Sequence, residues 1–351
     1  MKGRYDIVFY SGAFVAGSVA AGLVRGPVPG AIFIGIVLIT IVLAVAVRSA
    51  KSRPAALAAF LLLGILSASV GGCQAAPEPI QEKASNLKSK ASEALAQVAG
   101  GEDTPQGAIL SAIAIGDKSR IDCSLKQDFR QSGAMHLIAL SGLHIGVLYL
   151  FLTLTLALLG HSRTARIIRK ILILLCLWGY AIISGLSNSI LRAVIMISVY
   201  EAGEVFGSGR DLLRALAISA FITTLCNPEA PFQIGFQLSY GAMAGICFIY
   251  PKLKQILACR TAIMEKIWNT VALSLSCQAA TAPLVLLYFG TFPKYFLITN
   301  FVAIPLTSAS IYLTPAALIT RNLPWVGDFL QGALRLSLSL LWDAIGIIAG
   351  L

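Results

Sequence analysis

Long apolar stretches separated by short basic connections dominate the chain. Runs long enough to approach a bilayer crossing lie at residues 7–24, 31–47, 54–70, 134–159, 171–186 and 190–206, and then at 212–226, 234–250, 268–289, 296–319 and 329–351. A crossing helix needs about 20 predominantly apolar residues, within a range of about 17–25, so the pattern predicts about ten to twelve transmembrane helices. Runs at the short end, or broken by Gly or Pro, predict re-entrant segments. Irregular backbone at membrane depth is tolerated only where it lines a cavity or is packed in protein. The predicted fold class is an all-α polytopic integral membrane protein.

The connections carry the orientation signal. Lys2 and Arg4 precede the first run; Arg48, Lys51 and Arg53 follow the second; Arg163, Arg166, Arg169 and Lys170 follow the fourth. Arg210 and Arg214 follow the sixth, Lys252, Lys254, Arg260 and Lys266 the eighth, and Arg321 the tenth. The clusters fall on every second connection, so all lie on one side, and excess Lys and Arg marks that side as cytoplasmic. The N-terminus is then inside.

One long hydrophilic stretch, residues 74–130, falls on the outer side. Residues 81–98 read as an amphipathic helix: Leu87, Ala91, Leu95 and Val98 recur at helical spacing, with Lys88, Lys90 and Glu93 off the stripe. Gly100 and Gly101 break it, and residues 108–115 are apolar but too short to span, hence interfacial or re-entrant. The organisation predicted is N-terminal transmembrane helices over residues 1–73, an extracytoplasmic amphipathic linker over 74–106 and a second transmembrane domain over 107–351.

Composition agrees with lipid as the main solvent. The chain of 351 residues is 57% hydrophobic and 12% charged, with 27 Lys and Arg against 16 Asp and Glu. A soluble domain usually carries about 25% charged residues. The net charge of +11 is largely explained by the inner-side clusters, so it is not by itself a sign of nucleic acid. The seven cysteines form no C-x-x-C pair and read as buried small apolar residues in or beside apolar runs, a Cys73–Cys123 bridge on the outer side remaining open.

Three stretches carry a family resemblance. The first is A-I-G-D-K-S at residues 114–119, followed by D-F-R-Q-S-G-A-M-H-L-I-A-L-S-G-L-H-I-G at 128–146. The second is S-G-L-S-N-S-I-L-R-A at 184–193, and the third N-P-E-A-P-F-Q-I-G-F-Q-L-S-Y at 227–240. In order and spacing they resemble the competence domain of the ComEC competence family, over roughly residues 100–320. The resemblance implies a channel that passes single-stranded DNA across the inner membrane during natural transformation. It also marks departures. Relatives usually carry an outer soluble domain after the early spans and often a metallo-β-lactamase-like domain, so this chain is expected to be a short form without them. Three histidines (His136, His144 and His161) and no H-x-H-x-D-H string cannot build a two-metal hydrolase site. No cofactor or metal is expected, and no enzyme activity.

The candidate site residues follow from where polar groups meet apolar runs. His136, Ser141 and His144, read on one helix, form a ladder with Gly142 beside them. Ionisable groups at membrane depth usually face a bundle interior or a wet path. They line a DNA path, or they hydrogen-bond helix to helix; the resemblance favours the path or its support. Asn188 and Arg192 open the sixth run from outside, Arg192 contacting phosphate or reaching the headgroups. Gln233, Gln237 and Ser239 form a matching polar cluster on the eighth. Asp117, Lys118 and Arg130 mark the outer entrance, or a solvated mixed-charge loop. Glu201 and Glu204 are expected to pair with Arg210 or Arg214.

G-D-K-S at residue 116 lacks the spacing of a phosphate loop and no G-x-G-x-x-G is present, so transport needs an external motor. The partners expected are single-stranded DNA, the lipid bilayer, a separate DNA receptor, a nuclease, and a cytoplasmic motor or single-strand-binding protein. Two other functions fit the residues: a small-solute or lipid transporter on the same fold, and an intramembrane serine hydrolase built on Ser141. Against the hydrolase, position 139 is Ala139, where the known motif begins with Gly, and the other span-associated histidines lie on the same segment.

Overall fold

A computed structural model describes residues 2–22, 78–101, 103–138, 141–160, 162–205, 209–257, 261–290 and 295–350. The runs at 31–47 and 54–70, together with Cys73, lie outside the described residues. Among the described residues there are helices and no strands. The chain is an all-α polytopic membrane protein. Its residues divide into two compact units: residues 1–76 with 195–249, and residues 77–194 with 250–351.

In the first unit, α1 (Lys2–Gly22) packs on α9 (Leu212–Cys226), and α9 packs on α10 (Ile234–Phe248). Phe14 of α1 meets Phe221 of α9 with ring centroids 4.6 Å apart. Asp211 caps α9, its Oδ1 accepting from the backbone N–H groups of Leu213 and Arg214 at 3.0 and 3.3 Å. The boundary between the units falls within α8 (Asn188–Val205), after Val194.

The second unit begins with α2 (Glu78–Ala99), which the Gly100–Gly101 pair ends, with φ of 123° and 124° that only glycine adopts readily. It turns back into α3 (Pro105–Ile115), started by Thr104, whose side chain accepts from the Gly107 N–H, and by Pro105 at the first helical position. The turn is tight: a Cβ on Gly107 would lie 2.4 Å from the Gly101 carbonyl oxygen. α3 is apolar on all sides and correspondingly buried, packed by α2, α13 (Phe296–Thr320) and α14 (Val326–Ala349). Ala91, Leu95 and Val98 of the expected α2 stripe join this core, but Leu87 is exposed.

α4 (Cys123–Gln131) and the single turn α5 (Met135–Ile138) follow, then α6 (Gly142–Thr155), extended by a 3₁₀ turn to Leu159. α7 (Arg163–Ile183) begins on a Ser162 cap, well before the apolar run at 171. After α11 (Tyr250–Lys254), α12 (Ala262–Phe289) starts on a Thr261 cap and ends on Gly290 at φ 64°. Among the described residues, four stretches are long and apolar enough to cross a membrane: residues 142–159, α12, α13 and α14. α3, α9 and α10 are shorter apolar helices.

α13 carries many hydroxyls, yet they fit an apolar setting. Thr299, Ser308, Ser310, Thr314 and Thr320 each donate to the carbonyl four residues earlier. The small side chains let α13 and α14 approach closely, and Ser310 and Ser337 meet at 2.9 Å between them. Cys123, Cys176 and Cys226 lie on exposed faces rather than in the core, which corrects the buried reading for these three.

Candidate functional site

The run at 134–159 is not one helix. Gly133 turns at φ 77°, α5 makes one turn, and the chain is extended at Ser141 (φ −123°, ψ 167°) before α6 begins. His136 and His144 therefore stand on different helices, and the expected ladder does not form. The reason is local. Gly142 is a weak helix former, and Ser141 offers the backbone a cap instead of a continuing helix. Its Oγ accepts from the Leu143 N–H at 3.3 Å. The His144 ring closes the cap from the other direction: Nδ1 accepts from the Ser141 N–H at 3.3 Å and lies 3.1 Å from Ser141 Oγ.

These bonds assign Nδ1 as acceptor and place the His144 proton on Nε2. Nε2 is buried with no hydrogen-bond partner. His144, 1% exposed, thus fills the break between α5 and α6. His136 is exposed; its Nδ1–H donates to the Gly133 carbonyl at 3.1 Å, and its ring neighbours the Asn300 side chain of α13. The next residue of contact is Thr299, which donates to the Ser132 carbonyl at 2.6 Å. The broken segment is therefore held to α13 on both sides of Gly133. Gly142 faces Ala193 of α8, where an added Cβ would sit 3.8 Å from the Ala193 methyl, an ordinary contact; Gly146 faces open space. Neither needs to be glycine for close helix approach.

Asn188 begins α8 on an exposed position, and Arg192, one turn on, is 3% exposed. An arginine so enclosed does not reach out to headgroups. Ser187 Oγ, just before α8, is buried with no hydrogen-bond partner.

Asp117 is tied into the scaffold. Gly116 at φ 68° ends α3, and the Asp117 N–H donates to the Ser111 carbonyl at 3.1 Å. The Asp117 carboxylate accepts from Ser92 Oγ of α2 at 2.6 Å on one oxygen, and from the Ser119 hydroxyl and N–H at 2.7 and 3.1 Å on the other. Partial burial pushes its pKa up, but these bonds and the nearby Lys88 charge outweigh that and hold the carboxyl below its ordinary value. Lys88 Nζ also donates to the Gly116 carbonyl at 3.1 Å, and the Tyr180 hydroxyl of α7 donates to the Ala114 carbonyl. The A-I-G-D-K-S stretch is thus a junction of α2, α3 and α7. Lys118 and Arg130 are exposed.

Gln233, Gln237 and Ser239 belong to the other unit. Gln233 is the residue before α10, and Gln237 Nε2 donates to the Pro231 carbonyl at 3.0 Å, closing the N-P-E-A-P turn onto the helix. Ser239 is half-buried. Tyr240 shares its hydroxyl with Ser219 and Thr223 of α9 at 3.2 Å each. In the same unit Arg210 binds both Glu201 oxygens at 2.9 and 3.1 Å and Glu204 at 2.7 Å, and its guanidinium lies 5.7 Å from the Tyr200 ring centre.

Sequence reasoning missed Ser92, Ser119, Thr299 and Asn300 as partners of the site. Ser92 carried a signal, being a polar residue on the apolar face of α2. Thr299 and Asn300 carried none, since only folding brings α13 to residue 132.

A family model described as "Competence protein" matches residues 113–351. ComE operon protein 3 of Bacillus subtilis (strain 168) is 28% identical over 197 residues, covering 56% of this chain and 24% of that protein. Competence protein ComA of Neisseria gonorrhoeae is 29% identical over 225 residues, covering 62% of this chain and 30% of that protein. The chain thus aligns with under a third of the length of these relatives. No solved structure matches it. With the family match running from the end of α3 to the last residue and containing all three motif stretches, the chain belongs to the competence protein family.

Proposed function

We propose that this chain is a conduit through which single-stranded DNA crosses the cytoplasmic membrane during natural transformation. The observation that carries the reading is the competence-family match over residues 113–351, laid on a polytopic helical membrane scaffold. Of the two relatives above, one is named a competence protein and the other a ComE operon protein. In this reading the chain is a transport component rather than an enzyme. It lies in the inner membrane with its N-terminus in the cytoplasm, as the alternating basic connections support. Residues 1–73, 74–106 and 107–351 act as entry helices, linker and channel domain. A separate receptor delivers the DNA, a nuclease removes the second strand, and a cytoplasmic motor or single-strand-binding protein pulls.

The residue roles divide in two. His136, Ser141, Gly142 and His144 shape the break between α5 and α6, and with it the channel wall. Arg192, Asn188, Gln233, Gln237 and Ser239 are the polar groups of the path, and Lys118 and Arg130, with Asp117 as their anchor, form the outer entrance. A buried guanidinium suits this task because it presents a rigid, always charged fork to phosphate.

The test is transformation by linear marked DNA in wild type, a deletion strain, and the deletion complemented with His144→Ala or Arg192→Ala, membrane levels being checked. Loss in the deletion with no rescue by the variants supports the conduit. Normal transformation by the deletion overturns it and turns attention to transport of a small solute or lipid.

A further inference from the structure

α14 has three faces, not two. At about 100° per residue, Leu334, Ser337, Leu338, Leu341, Ile345 and Ile348 fall on one side, and all are buried. Phe329, Leu336, Leu340 and Ile347 fall on a second side, all exposed and apolar, as a lipid-facing surface requires. The third side is a line of Asp328, Gln331, Arg335, Ser339 and Asp343, with Gly332 and Gly346 set along it. None of the five polar residues is buried, and a Cβ on either glycine would meet nothing within 4 Å.

Depth makes this face informative. α14 has 24 residues and its apolarity qualifies it to cross a membrane; at about 1.5 Å per residue it is about 36 Å long. Arg335 stands nine residues beyond Val326, so about 13–14 Å from the nearer end of the helix. With a hydrocarbon core about 30 Å thick, that is about 10 Å inside it. A snorkelling arginine on a lipid-facing side would leave its guanidinium still within hydrocarbon. Its hydrogen-bonding neighbour on this face, Gln331 Oε1 at 3.5 Å, is uncharged. Beside it lies Gly100, at the tip of the α2–α3 hairpin: a Cβ there would be 3.7 Å from Arg335 Nε, and Gly100 itself puts no side chain against the guanidinium. The polar face of α2, with Ser89, Lys90, Glu93 and Gln97 exposed, belongs to the same unit.

We propose that the Gln331–Arg335–Ser339–Asp343 face of α14 is the wall of a water-filled path, and that Arg335 is the cation at mid-depth that contacts the phosphates of the passing strand. The proposal rests on the conduit reading above and adds to it a wall that lies outside the three motif stretches. The face as a whole is net negative, with Asp328 and Asp343 against Arg335, so the phosphate contact is assigned to the level of Arg335 alone. Asp328 and Asp343 sit toward the ends of the helix, and Arg335 is the one charged residue between them. A fixed guanidinium in a wet passage selects an anion, and a phosphodiester presents the matching pair of oxygens.

The experiment is substituted-cysteine accessibility in the full chain with its native cysteines replaced, in sealed cells. Gln331→Cys, Arg335→Cys, Ser339→Cys and Asp343→Cys are exposed to a membrane-impermeant charged methanethiosulfonate. Leu336→Cys, Leu340→Cys and Ile347→Cys serve as the lipid-facing set. The expected result is labelling of the polar set at least tenfold faster than the apolar set, slowed severalfold at position 335 by single-stranded oligonucleotide. Equal rates for the two sets, or no protection by oligonucleotide, overturn the proposal. So does spontaneous disulfide formation between two copies at position 339, which would make the face a contact between copies. Labelling is read without transformation, so failure here is separate from failure of the conduit itself.

Discussion

Asp117 joins α2 to the end of α3, and the strength of that joint can be worked from its bonds. Ser92 is 1% exposed, and its hydroxyl donates to the Asp117 carboxylate at 2.6 Å. A hydrogen bond to a charged group contributes about 1.5–3 kcal/mol, and a buried hydroxyl left without its partner costs about 1–3 kcal/mol. The carboxylate is only partly buried, which places Asp117→Ala at about 2–3 kcal/mol and Ser92→Ala, which leaves the Ser119 bonds in place, at about 1–2 kcal/mol. For a unit of this size a loss of 1 kcal/mol lowers Tm by about 2–4 °C. The thermal midpoint of the detergent-solubilised protein, read by the survival of its size-exclusion peak, should therefore fall by about 4–12 °C in Asp117→Ala. Because the two residues share one bond, the double variant Ser92→Ala/Asp117→Ala should fall short of the summed losses by about 1 kcal/mol. Fully additive losses, or a shift under 1 °C in Asp117→Ala, would refute the joint.

The same carboxylate predicts a pH dependence: held below its ordinary value of 3.8, it contributes stability at all pH above that value and loses it as pH falls through the lower folded-state value. Wild type and Asp117→Asn should thus differ in Tm at neutral pH and converge in the acid range below 3.8. Ser141→Ala removes the α6 cap and should cost about 1 kcal/mol, with Ser141→Asp retaining most of it; equal midpoints for Ser141→Ala and wild type would sink that assignment. Gly107→Ala places a Cβ 2.4 Å from the Gly101 oxygen and should destabilise by about 1–3 kcal/mol, whereas Gly146→Ala, facing open space, should leave the midpoint unchanged or slightly raised. Arg210→Gln strands Glu201, which is 2% exposed, and should cost on the order of 2–3 kcal/mol, less than a wholly buried pair because Arg210 is 42% exposed. Adding Glu201→Gln should restore much of that loss, and no recovery in the double variant would argue against the pair.

Much of the scaffold was legible in one dimension. Apolar runs must become helices in lipid, because every backbone polar group there has to be satisfied within its own segment. That is why α9 begins and ends at the limits of its run, 212 and 226, and why Gly100–Gly101 ends α2 as expected. The pairing of Glu201 and Glu204 with Arg210 was legible for a similar reason, since a carboxylate in an apolar run needs a neighbour of opposite charge within a few turns. The competence motifs were visible as strings of residue types. Three things waited for the tertiary structure. The break at Ser141 lies inside an uninterrupted apolar run, and hydropathy does not register a helix cap that a histidine three residues on completes. Asp117 looked like a solvent-facing entrance charge until α2 brought Ser92 to it from 25 residues away. The third face of α14 is polar at every fourth position and was readable in principle. What it borders was decided by packing: α13 takes one side, and the α2–α3 hairpin ends in a glycine beside Arg335. Periodicity tells which residues share a face, but only the neighbours tell whether that face meets protein, lipid or water.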